Sequence, residues 1–290
     1  MEYGCQACTL NTLRRGYLVD PKTKTVTFKN PPVAEAVLGI QFAPLDKMRI
    51  TDFGLLWQHL KNDFPQVQER DRMVPTVELK GQSIPEIGWR LSNVVELPRV
   101  WFVGELSSGG RHFIQIQPDR YLYNWHGTGS TASYPSYESN TSVFFSNLDI
   151  LRKYIADAQL GELQVDQCEL TYVNHIFLDE GLDLSAMATK AFTAFGSEIP
   201  LPGHRDRFAF NVSSWLDELN GRLHASLQPA QNMETRQIIL DFRIIARGQP
   251  QGSDDSQLVD WFNMAHHFAL DSFKSLTTSE MHKRWGILNP

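Results

Sequence analysis

An α+β fold is predicted from three observations. Several runs alternate apolar and polar residues with period two, as half-buried strands do. Others place apolar residues at steps of three and four, as amphipathic helices do. The two kinds also follow one another in the same order twice. The expected architecture is two pseudo-repeated strand–helix–strands–helix halves, 26–164 and 165–290. They would form one compact unit, a mainly antiparallel curved sheet with helices packed on one face, preceded by a peripheral N-terminal arm over 1–25.

In Val33–Phe42, Ala34, Ala36, Leu38, Ile40 and Phe42 face one way, and Val33, Glu35, Val37 and Gln41 the other. Pro31 and Pro32 must precede that strand, because proline cannot donate to a ladder. Thr51 or Asp52 can cap a helix carrying Phe53, Leu56, Trp57 and Leu60, which ends before Pro65. Residues 65–98, punctuated by Pro65, Pro75, Pro85 and Pro98, read as irregular extended pieces. Val100–Leu106 and His112–Gln117 flank the small-residue turn Ser107–Arg111 and form a hairpin. Tyr121–His126 continues as a strand. After the Gly/Ser/Thr loop 127–133, a helix of about twenty residues carries Phe144, Phe145, Leu148, Leu151, Tyr154 and Ile155, with Gly161 closing it.

The second half begins with the alternating run Asp166–Leu178 and a helix from Leu184-Ser185. Three extended runs follow, Arg207–Trp215, Gly221–Leu227 and Arg236–Arg247. In the last of these Ile238, Leu240, Phe242 and Ile244 point inward, and Asp241, Arg243 and Arg247 outward. Ser253, with Asp254 and Asp255 behind it, caps a final helix carrying Leu258, Phe262, Ala265, Ala269, Phe273 and Leu276.

A net charge of −6 gives no nucleic-acid footprint, and no apolar run approaches bilayer length. The first twenty residues lack a signal-peptide core, and three cysteines make no disulfide framework. A cytoplasmic protein is expected. Cys5-x-x-Cys8 has redox or half-zinc spacing but no second pair of ligands. His267 and Asp271 share a helix face beside His266 and read as a solvated i,i+4 pair, so no metal and no cofactor are assigned. Phosphate loops and the GxSxG elbow are absent.

Four stretches, NPPVAEAVLGIQF, IQIQPDRYLYNW with YPSYE, CELTYVNHI and WFNMAHHFALDSFKSLTTSEMHKRWG, together resemble a sporadically distributed, uncharacterised bacterial family of about this length. The resemblance spans 29–286. It implies no activity, and its patchy distribution is similar to that of accessory genes in mobile or defence-type neighbourhoods.

The polar strand positions are the expected binding surface. Glu169, His175, Asp241 and Arg243 sit there as a mixed cluster, with Tyr123, Asn124 and Trp125 near by, while Tyr172 and Asn174 share the other face of their strand. The first reading is a non-enzymatic recognition protein that binds a protein partner encoded nearby. An alternative is a small-ligand sensor with a pocket between the halves, lined by Trp125, Tyr172, Asn174 and Arg243. A third is an enzyme using Glu169, His175 and Arg243. A homodimer is compatible with all three.

Overall fold

The computed structural model describes residues 27–81, 97–107, 109–127, 133–195, 207–233 and 235–288. The N-terminal arm with Cys5 and Cys8, and most of the glycine-rich loop, lie outside them. Nine strands form one antiparallel sheet: β1 (Val33–Phe42), β2 (Gln66–Arg70), β3 (Arg99–Glu105), β4 (Arg111–Gln117), β5 (Arg120–His126), β6 (Val165–Phe177), β7 (Phe210–Leu216), β8 (Gly221–Gln231) and β9 (Ile238–Gly248). Their order is β2-β3-β4-β5-β1-β6-β9-β8-β7, so β1 and β6 pair at the centre. Five helices accompany them: α1 (Ile50–Leu60), α2 (Tyr137–Asp157), α3 (Leu184–Ala191), α4 (Asp255–Leu276) and α5 (Ser279–Trp285). Among the described residues, no helix is long and apolar enough to cross a membrane.

Local chemistry accounts for most boundaries. The β3–β4 hairpin turns through Gly109 and Gly110, whose positive φ values of 81° and 111° exclude most side chains. Helix α2 starts where the Ser136 hydroxyl accepts the Ser139 N–H. Helix α1 begins at Ile50, not after Thr51 or Asp52. Asp52 serves as the third helical residue and accepts the Arg49 N–H at 2.6 Å, so its carboxylate closes a capping box. At the start of α4, Asp254 takes the cap position expected for Ser253, whose hydroxyl instead accepts the Val165 N–H.

Three regions differ from expectation. Gln66–Arg70 forms an edge strand on β3 despite the surrounding prolines, because Pro65 and Pro75 lie outside the paired residues. Ser279–Trp285 is a short helix that places Trp285 in the core, ended by Gly286 in the left-handed conformation. The third concerns Val33: a bulge at Ala34 sets two residues of β1 against one of β6, and Val33 turns to the apolar side.

Alternate residues of the central strands enter one core: Leu38 and Ile40 of β1, Tyr121 and Tyr123 of β5, Leu170 and Tyr172 of β6, Phe242 and Ile244 of β9. Helix α2 packs on β5 and β1, and α4 on β9 and β6. Phe144 of α2 and Phe262 of α4 meet edge to face at 5.2 Å, both fully buried. Truncating either to alanine would cost about 3–5 kcal/mol.

Candidate functional site

A cavity of about 310 Å³ lies on the apolar face where the two halves of the chain meet. Val33, Tyr172, Asn174 and Ile244 form its floor, the first turn of α2 one wall, and His266, Leu270 and Phe273 of α4 the other. The bulge in β1 and the helical spacing of α4 bring these side chains to one place.

Its aromatic polar groups are held in place and neutral, and the two charged residues on its border, Lys29 and Glu138, are exposed. The Tyr137 ring stacks on the His266 imidazole, with centroids 3.9 Å apart and planes 5° from parallel. The Tyr137 hydroxyl donates to Asn263 Oδ1 at 2.9 Å. His266 Nδ1 shares a hydrogen bond of 2.8 Å with the Tyr172 hydroxyl. Burial pushes the His266 pKa down to about 4 and the Tyr134 phenol up to about 12, and it raises those of Tyr137 and Tyr172 too. All four rings are therefore uncharged near neutral pH. Asn174, also buried, spends an amide proton on the Phe242 carbonyl at 3.1 Å. Such a space, apolar with a few fixed neutral hydrogen-bonding groups, suits a small, flat, largely uncharged molecule.

The polar face is not open. Residues 71–81 cross it in an extended path between β2 and the far strands. Gln117 of β4 accepts the Met73 N–H and donates to the Met73 carbonyl, both at 3.0 Å. Gln41 of β1 does the same for Thr76, at 2.9 and 2.7 Å, and Gln167 of β6 accepts the Glu78 N–H at 3.3 Å. The Glu78 carboxylate ends the path among Arg222 at 2.6 Å, His224 at 2.9 Å and Arg247 at 3.2 Å. Burial alone would raise the Glu78 pKa. Hydrogen bonds from His224 and Arg222, and the charges of His224 and Arg247, bring it down to about 2. Each neutral hydrogen bond nets only about 0.5–1.5 kcal/mol, but a buried amide left unpaired costs about 1–3 kcal/mol. These glutamines thus require the covering segment.

Comparison with known protein families, curated proteins and solved structures finds no match to the chain. Function must be read from the site alone.

The expected site residues divide between the two faces. Tyr123 and Trp125 are almost wholly buried on the core side and offer no exposed recognition surface, because β5 alternates about Asn124. Trp125 does not line the cavity but packs behind it, its ring 5.4 Å from that of Tyr134, which does. Asn124 points the other way, accepting from Gln115 and donating to Glu35, each at 2.7 Å. Glu169 pairs with Arg247 at 2.7 Å, and Asp241, buried, pairs with Arg243 at 2.8 Å. Arg243 therefore does not line the cavity with Tyr172 and Asn174. His175 lies opposite Asp241 and borders a second, more open space of about 470 Å³ with Phe177 and Arg284.

Glu169 and His175 are six residues apart on one continuous strand, roughly 20 Å at strand rise, which is beyond the reach of concerted acid–base work. His267 meets Asp271 at 3.2 Å as an i,i+4 pair, while its neighbour His266 turns toward the cavity. Among the described residues, no three metal-ligating side chains gather.

Several residues of these sites were not singled out from the sequence. Tyr134 and Tyr137 were passed over, although aromatic residues three apart just before a helix were a usable signal. Glu78 is the one charge in VPTVEL, and its three basic partners lie more than 140 residues downstream.

Proposed function

We propose that the protein binds a small molecule in the cavity between its two halves and acts as a sensor of that ligand. The single observation that carries this reading is the stacked Tyr137–His266 pair, hydrogen-bonded to Tyr172 and bordering an apolar space of about 310 Å³. Both halves line that space. On this reading they are pseudo-repeats with helices behind a shared curved sheet, and a bound ligand would bridge them. The preferred ligand is flat and uncharged, because the surrounding rings are neutral and ionic groups would lose their hydration for little return.

Recognition of a partner protein, the first expectation from the sequence, has less support at the polar face, since residues 71–81 already occupy it. Membership of the bacterial family suggested by the four sequence motifs belongs to the same proposal.

The test is a thermal-shift screen of neutral planar metabolites, nucleobases included. A ligand at a hundred times its Kd contributes about 2.7 kcal/mol, enough to raise Tm by roughly 5 °C in a chain of this size. A screen in which no compound moves Tm would refute the proposal.

A further inference from the structure

The segment 71–81 is held through its main chain and through its charged side chains. Gln117 and Gln41 each satisfy both the N–H and the C=O of one residue, Met73 and Thr76, as a neighbouring strand would. Arg120 adds a bond to the Val74 carbonyl at 3.2 Å. Because these bonds come from sheet side chains to backbone atoms, they are indifferent to the sequence they hold. Three charged positions are also read by their side chains: Arg72 pairs with the buried Asp119 at 2.7 Å, Lys80 with the exposed Asp217 at 2.7 Å, and Glu78 with a cluster of basic groups. Glu78 enters a pocket formed by Arg222, His224 and Arg247.

The segment's own apolar side chains contribute little to its seating. Val74 is 80% exposed, Val77 54% and Leu79 51%. Its attachment therefore rests on polar contacts that an extended chain with a suitably placed carboxylate, and a cation six positions before it to meet Asp119, can reproduce.

We infer that the polar face is an acceptor track for an extended peptide with a carboxylate at the Glu78 position, and that residues 71–81 are its occupant in cis. A partner segment binds by displacing them, with its backbone on Gln117 and Gln41 and a glutamate or aspartate in the basic pocket. This site is independent of the cavity, and its test is unaffected if no small ligand is found.

The experiment uses the full chain carrying Glu78→Ala, with Glu78→Gln as the second variant should the first not fold. A fluorescent peptide copying residues 71–81 is titrated against each by anisotropy. The expected result is saturable binding to the variant and at least about tenfold weaker binding to the wild type, where the tethered copy competes at millimolar effective concentration. Replacing the peptide's glutamate by glutamine is expected to weaken binding at least about tenfold, because the carboxylate meets three basic groups. Hydrogen exchange provides a second readout: in the wild type, the amides of Met73, Thr76 and Glu78 should exchange well before those of β1. Absence of peptide binding up to about 1 mM to either folded variant overturns the inference. So does exchange of those three amides only on global unfolding.

Discussion

On one side of the sheet, α2 and α4 bury aromatic side chains and leave a space between them. On the other, an extended segment with no regular structure satisfies a row of glutamines and seats its own glutamate between two arginines and a histidine. Apolar packing is non-directional, so a void costs only lost contacts and can persist as a binding site. A buried polar row has no such tolerance, because each missing partner leaves a desolvated donor or acceptor. The faces therefore differ in what they admit. On the proposed reading, the apolar face would accept a guest with no rearrangement, whereas the polar face would accept one only by exchange.

The largest expected effect breaks the polar side. Arg247→Ala strips Glu78 and Glu169 of a shared cation, both carboxylates being mostly buried. Removing one partner of a buried ion pair costs about 3–5 kcal/mol. Urea unfolding should register a loss of that size. A loss below about 1 kcal/mol, the range of exposed pairs, would mean that the segment is not seated as described.

A smaller effect separates the faces by pH. His266 has a folded pKa of about 4, below the ordinary 6.5, so the unfolded chain binds its proton more tightly. Its contribution is complete above pH 6.5 and is lost as pH falls toward 4, by at most roughly 3 kcal/mol. Glu78, held at about 2, contributes above its ordinary 4.5 and loses that contribution as pH falls from 4.5 toward 2. Urea unfolding at pH 7, 4.5 and 2.5 should show the first loss shrink in His266→Phe and the second remain. What is left of the first comes from His112 and His282, whose pKa values burial also lowers. A first loss undiminished in His266→Phe would place it elsewhere.

Strands facing the core announced themselves. The alternation of β1, β6 and β9 follows from one buried face, and α4 from its apolar stripe and acidic start. The 71–81 segment gave no such signal, because its apolar side chains stay exposed and Pro75 breaks its pattern. Gln41 fell on the polar side of its strand, with nothing in the sequence to say what would cover it. Alternation says which side a residue takes, and a distant segment decides whether that side meets water. The cavity was legible in part: Tyr172 and Asn174 were placed on one face together, and the bulge at Ala34 and the turn of His266 toward them are tertiary facts.

The most direct test of the central claim is calorimetric titration of the best screening compound into the wild type and into Leu270→Trp. Leu270 borders the cavity and is partly exposed, so the larger ring fills the space without entering the core. Tight, one-to-one binding to the wild type and none to a folded Leu270→Trp is the predicted result. Equal binding to both would contradict the account, since the ligand would then sit somewhere other than between Tyr137, Tyr172 and His266.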